Sequence, residues 1–431
     1  MNAAEPGRAA APPLRWRRTT PPQRAVLLAA ALGWMLDAFD VMLYALVLAE
    51  LMRHFGMRAA TAGLLNTLTL AASALGSLLF GYWADRRGRR RMLELSILTY
   101  SVCSFLCGLA PTLLWLGVCR FLLGLGMGGE WNTGAALVAE TWPAAWRGRA
   151  LGMVQSSWAV GYALAAAAAG LALPLWGWRG VFFLGVLPAL AVFWIRRHAP
   201  ESPAWLAANR PPAPEAIAAS RPQPASRHRL VAMGLRLRGH YGDLAALLGM
   251  NTFGMFAWWG LFTWMPAFLE LPAARGGRGF SLISTVGLLV VLNLAGMLPG
   301  YLLFGWFADR VGRKKTLLVY LLCAAAMAPA FALARGEAAM LAAGVLLAFF
   351  GTGFFTGSAI VGSELFPTAA RATALGATYN VARGLSALAP LLIGGWAGKK
   401  GLGAALSVCG LAYLLAALCV LPLPETRGRA L

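Results

Sequence analysis

The chain has 431 residues, 59% of them apolar and only 12% charged, with 50 glycines and 17 tryptophans. A soluble globular protein carries about twice that share of charge, so a soluble enzyme, a secreted disulfide scaffold and a disordered chain are excluded. The formal net charge of +21 would point to nucleic acid in a soluble protein, but here placement matters more than the sum, and no nucleic-acid partner is expected.

In chain order, residues 1–24 form an Arg-, Ala- and Pro-rich tail. A bilayer-spanning helix needs about 20 mostly apolar residues. Such stretches recur at roughly 25–50, 61–82, 92–110, 112–138, 150–174, 178–195, 243–270, 281–306, 316–334, 339–362, 373–397 and 402–421. Only helices or closed barrels satisfy the backbone in lipid, and these runs are too long for barrel strands. The expected fold is therefore an all-α polytopic membrane protein of twelve helices. Residues 25–195 and 243–421 make two six-helix bundles, joined by a polar linker at 196–242 and followed by a tail at 422–431. The linker is expected to hold a short amphipathic helix on the membrane surface.

Counting Lys and Arg loop by loop puts 27 of the 37 on one side and 8 on the other, with Arg120 and Arg383 inside spans. Positive loops stay cytoplasmic, so both termini are expected inside, in a bacterial inner membrane. All six cysteines, Cys103, Cys107, Cys119, Cys323, Cys409 and Cys419, lie in apolar runs without metal or disulfide spacing. They read as buried packing residues, and no metal or cofactor is expected beyond protons as the coupling ion.

The two halves repeat each other. Gly81-Tyr-Trp-Ala-Asp85-Arg86-Arg-Gly88-Arg89 returns as Gly305-Trp-Phe-Ala-Asp309-Arg310-Val-Gly312-Arg313. Glu140-Thr-Trp-Pro143 with Arg147 returns as Glu364-Leu-Phe-Pro367 with Arg371, and Pro200-Glu201-Ser202 as Pro424-Glu425-Thr426. Every pair keeps the same spacing, as expected for parallel repeats around a central axis. On these motifs the sequence resembles the major facilitator superfamily from residue 25 to 428. Leu36-Asp37-Ala-Phe-Asp40, Arg120 with Gly128-Gly129-Glu130-Trp131, and Tyr379-Asn380-Val-Ala-Arg383-Gly384 resemble its proton-coupled symporters of sialate, lactate and aromatic acids. The resemblance implies two bundles that work by alternating access. Ala204 stands where sugar porters have Arg in PESPR, which weakens a sugar-porter assignment.

The intramembrane charges are the candidate site. Asp37 and Asp40 share one face of the first span, with Tyr44 a turn further on. A central Asp costs about 2.5–3.5 kcal/mol on an insertion scale, and such acids are tolerated where they face a partner or a wet cavity. Arg120 in the fourth span lies at a similar depth to Asp40. By resemblance this pair carries the proton, since parting an acid from its arginine changes its proton affinity. The four histidines lie at span ends or in loops, which leaves carboxylates as proton carriers. Glu130 is read either as a second proton site or as a structural bond to the first or second helix. Asp37, Asp40 and Glu130 are thus the proton-coupling candidates.

Arg120, Arg383, Asn380 and Tyr44 are the substrate-binding candidates. Arg383 sits in mid-span in a half that offers no intramembrane acid. A bidentate substrate carboxylate is one solution; a structural arginine on backbone carbonyls is the other. Trp258 and Trp259 are candidate cavity residues, while Trp264 reads as belt or packing.

The repeated basic motifs read as a conformational latch. Asp85 and Asp309 are placed to face the partly positive helix starts of the opposite half, and Glu140–Arg147 and Glu364–Arg371 are expected ion pairs. The latch set is Gly81, Asp85, Arg86, Gly88, Arg89, Glu140, Arg147 and Gly305, Asp309, Arg310, Gly312, Arg313, Glu364, Arg371. There is no Walker motif, so ATP is not the energy source. The expected function is proton-coupled symport of a small carboxylate by a monomer in the lipid bilayer. The alternatives are a sugar, polyol or other metabolite transporter, an exporter or antiporter, and, from another class, a membrane enzyme or a non-transporting sensor.

Overall fold

The computed structural model describes residues 19–208, 239–366 and 368–427, with the backbone alone at 144–145, 208 and 368–373. Among these residues the chain is helical throughout, without strands. In the first half run α1 (Pro21–Leu46), α2 (Leu48–His54), α3 (Ala59–Arg87), α4 (Arg89–Gly108), α5 (Leu113–Thr141), α6 (Ala144–Phe183), α7 (Pro188–His198) and the short α8 (Pro203–Ala208). The second half has α9 (Tyr241–Glu270), α10 (Leu282–Val291), a π-helical turn (Leu292–Met297), α11 (Leu298–Val311), α12 (Arg313–Leu333), α13 (Glu337–Leu365), α14 (Thr368–Ser386), α15 (Ala389–Lys400) and α16 (Leu402–Val420).

Ten of these stretches are long and apolar enough to cross a membrane. One of them, Trp146–His198, has 53 residues, about 80 Å of helix at 1.5 Å per residue against a hydrocarbon core of about 30 Å. It breaks at Gly177, where φ is +63°, and α7 returns to pack on α4 and α1, so it makes two passes. The helix α4 is charged at its start but apolar beyond it, and its 20 residues span about 30 Å. Together they give the twelve passes expected, in two repeated sets of six.

The loops expected at 83–91 and 307–315 are not loops. α3 continues to Arg87 and α11 to Val311, each followed by one non-helical glycine and the next helix. Basic side chains at the membrane edge solvate themselves by extension and leave the backbone free to stay helical. Gly88 and Gly312 have φ of +102° and +114°, a region open to glycine. A Cβ on Gly88 would also collide with the Glu201 carboxylate, and one on Gly312 with Glu425. Gly88→Ala is therefore expected to lose roughly 1–3 kcal/mol from backbone strain alone. Helical Gly81, with nothing near its missing Cβ, serves as the control. The thermal midpoint in detergent should fall for Gly88→Ala and hold or rise for Gly81→Ala; equal midpoints would remove the strain argument.

Between α3 and α5, Gly124 and Gly128 let backbones touch: a Cβ on either would strike the carbonyls of Thr69 or Ser73. That close approach, expected of small residues in membrane helices, carries Arg120 and Glu130 into the protein interior, where both are buried. The two halves meet at the end remote from the basic motifs. There Gly63 lies on the Pro390 carbonyl and Gly394 on that of Ala59, Asn66 donates to Thr263 at 2.9 Å and Tyr162 to the Phe262 carbonyl at 3.2 Å.

Candidate functional site

Midway along the bundle a narrow pocket lies between the halves, with room for about one water between its lining side chains. α1 and α6 bring Trp34, Gln155 and Trp158 to it; α9, α11, α13 and α14 bring Trp258, Trp259, Tyr301, Phe355, Tyr379 and Arg383. Arg383 is 3% exposed and its Nη2 has no hydrogen-bond partner. Asn380, one turn earlier, also has an unpartnered Oδ1. The nearby acid comes from the other half: Asp37 on α1, 1% exposed, lies within electrostatic reach of Arg383 with its Oδ2 free. A search for a counter-ion within the second half alone could not have found it, because the pairing crosses the repeat.

A second polar cluster lies a turn along α1. Asp40 accepts a hydrogen bond from Ser104. Arg120 donates from Nη2 to Asn66 at 2.9 Å and lies over the Tyr44 ring at 4.4 Å, a cation–π contact that partly replaces a counter-ion. Tyr44 itself donates to the Ala62 carbonyl at 2.7 Å. Asp40 and Arg120 thus remain electrostatic neighbours, but their closest polar partners are Ser104 and Asn66. The expected direct pair is replaced because two small polar side chains on α4 and α3 reach the charges first. Since Asn66 also bonds Thr263, a chain of contacts runs from Arg120 across to the second half. Arg120 and Tyr44 lie outside the central pocket's lining.

Glu130 is buried, with Oε1 against Gly33 and Gly134 and Oε2 unpartnered. Gly33 leaves room for that carboxylate, which places Glu130 against α1 beside the Trp34–Trp131 ring pair, 4.7 Å between centroids. Trp264 is fully buried and donates to the Pro390 carbonyl at 3.0 Å, so of the two roles weighed for it packing holds.

At the basic face the repeats are matched residue for residue. Arg89 pairs with Asp85 at 2.9 Å and Glu140 at 3.2 Å; Arg313 pairs with Asp309 at 2.9 Å and Glu364 at 3.1 Å. Ser202 donates to Glu140, and Thr426 to Glu364 at 2.5 Å. Glu201 accepts the amide of Arg89 at 2.8 Å and Glu425 that of Arg313 at 2.9 Å, so each acid caps the orphan donors of a helix start. Burial pushes the Glu425 carboxyl up, but the amides of Arg427, Arg313, Lys314 and Thr426 outweigh it and hold the group below its ordinary range. Glu140 therefore takes Arg89 where Arg147 was expected, and Arg147 is exposed; the Arg371 side chain lies outside the described residues. Asp85 and Asp309 carry side chains more than 70% exposed. Arg86 covers Tyr82 at 3.6 Å and Arg310 covers Trp306 at 3.8 Å, a snorkelling arrangement at the membrane edge.

Asn66, Thr263, Ser104, Trp34 and Trp158 were absent from the sequence-derived site. Their signal was weak: a polar residue in a span gains meaning only once its neighbour across the bundle is known.

Comparison with known proteins gives a consistent answer. A profile of the Major Facilitator Superfamily matches residues 30–284 and 278–431. The chain is 33% identical over 424 residues to the "Probable 4-methylmuconolactone transporter" of Cupriavidus pinatubonensis, covering 96% of this chain and 94% of that one. It is 31% identical over 406 residues to the sialic acid transporter of Escherichia coli K12, covering 92% and 93%. In three dimensions it resembles the xylose transporter of E. coli, with a TM-score of 0.75 at 20% identity over 96% of this chain and all of the other.

Proposed function

The chain belongs to the major facilitator superfamily, an integral membrane transporter and not an enzyme, and on that premise we propose that it carries a small organic anion, a carboxylate, together with protons. The observation that carries this reading is Arg383: a buried guanidinium with a free Nη2 that lines a pocket between the two halves. A buried guanidinium with an N–H group left unpaired is expensive even beside Asp37, and a carboxylate matches its fork. The relatives named for sialic acid, muconate and a muconolactone support an acid over a sugar. Asp37, facing Arg383 from the other half, and Asp40, on the same helix face, are the proton carriers of this reading. A substrate anion that binds Arg383 competes with Asp37 for it, and this ties protonation to loading. Protons are the only coupling species needed, and the transporting unit is one chain.

The loops rich in Lys and Arg face the cytoplasm in this reading, in a bacterial inner membrane. The basic-face networks then latch each half to itself, holding α3 to α4 and α11 to α12 so that each six-helix half moves as a body. Uptake into proteoliposomes of lactate, sialate, benzoate, their amides and xylose, with and without an inward-acid-driven gradient (outside acidic), tests the proposal. Accumulation of acids only when the outside is acidic is the expected result. Gradient-independent uptake of xylose or the amides in preference to the acids would overturn it.

A further inference from the structure

We propose that the carboxylate is attached to a flat, unsaturated ring or chain that carries a second hydrogen-bond acceptor at its far end. The acid lies on Arg383, the flat body among the tryptophans of both halves, and the acceptor on indole N–H groups. This rests on the carboxylate reading above and narrows it.

The pocket is a tryptophan cage. Trp34 and Trp158 from the first half are 4.8 Å apart; Trp158 meets Trp258 at 5.8 Å and Trp259 at 6.1 Å from the second half, and those two are 4.8 Å apart. Their planes are tilted or perpendicular, so the rings meet one another face to edge around the pocket. Each ring–ring contact adds about two- to tenfold to affinity beyond apolar burial, a gain denied to a saturated body of the same size. The second observation is independent of shape. The indole Nε1 atoms of Trp34, Trp158 and Trp258 are all buried and have no acceptor. Buried donors are seldom left unpaired, and three in one pocket, added to the free Nη2 of Arg383, make its polar surface rich in donors. A polyol brings hydroxyl donors of its own and fits such a surface poorly, whereas a ring nitrogen, carbonyl or lactone oxygen fits it well. The wall of mixed aromatic and donor groups spans the two halves, so one ligand would hold both.

The test uses equilibrium binding to the purified full chain of four radiolabelled ring acids, benzoate, cyclohexanecarboxylate, pyridine-3-carboxylate and pyridine-4-carboxylate, with labelled lactate and benzamide alongside. Apolar burial alone favours cyclohexanecarboxylate, so the expected result, benzoate about tenfold tighter, reads ring stacking. One pyridine acid is expected to bind about threefold or more tighter than benzoate through the extra acceptor. Trp158→Phe and Trp258→Phe keep a ring and delete the N–H; at least one should erase the pyridine advantage and leave the benzoate-to-cyclohexane ratio in place. Equal binding of benzoate and cyclohexanecarboxylate overturns the proposal. So does a pyridine advantage untouched by both variants and by Trp34→Phe, which would mean that the indole N–H groups rest on neighbouring rings. Labelled lactate binding while none of the ring acids does overturns it too, yet leaves the carboxylate reading standing. Benzamide binding as tightly as benzoate overturns the carboxylate reading instead.

Discussion

Arg383→Gln is expected to abolish the preference of the transporter for an acid over its neutral amide, with carboxylate affinity falling by about 30- to 5,000-fold. The scale follows from removing one partner of a buried charge pair, which costs about 2–5 kcal/mol. Arg383→Lys keeps the charge but replaces a planar fork with a point charge, so its loss should be intermediate. The acid-to-amide ratio is the decisive readout, since a poorly folded variant loses both ligands alike. A wild-type ratio in Arg383→Gln would make the arginine structural, held by the field of Asp37 rather than by substrate. The polar groups near Arg383 come from both halves: the charged Asp37 from α1 on one side, the neutral Tyr379 and Asn380 of its own helix on the other. This is why a charge-keeping and a charge-removing variant are both needed.

How much of this was legible in the sequence differs by physical cause. The twelve passes were, because apolar length is a local property and lipid enforces it. The repeat was, because Asp85 and Asp309 sit in copies of the same motif. The turns at Gly88 and Gly312 were not: charge density marks a membrane edge, but only backbone geometry shows that a single residue makes the turn. Arg120, Asp37 and Arg383 were legible as costly charges, and their partners were not. Asn66 and Ser104 are ordinary polar residues until α3 and α4 carry them to Arg120 and Asp40. Trp258 and Trp259 drew notice as a pair, but the cage needs Trp34 and Trp158, about 100 and more positions earlier. Contacts between halves depend on how two bundles dock, and no single-span pattern encodes that.

The two acids of α1 are expected to separate binding from coupling. Asp37 faces Arg383, whereas Asp40 is held by Ser104 next to Arg120. Asp37→Asn removes the charge nearest the proposed substrate arginine, so it should change carboxylate affinity as well as coupling. Asp40→Asn leaves the pocket lining untouched and should leave counterflow exchange in place. What it should remove is accumulation against a gradient. One proton carried with one monocarboxylate is electroneutral, so the membrane potential adds nothing, and a gradient of one pH unit drives about tenfold accumulation, as about 1.4 kcal/mol corresponds to a factor of ten. In proteoliposomes the wild-type protein should therefore reach about tenfold over the outside concentration, and Asp40→Asn should stop at equality while still exchanging labelled for unlabelled substrate. Full accumulation by Asp40→Asn at equal protein content would move the proton to Asp37 or to Glu130. Asp37→Asn and Glu130→Gln, run in the same assay, tell those two apart: the acid whose amide form exchanges but does not accumulate is the one that carries the proton.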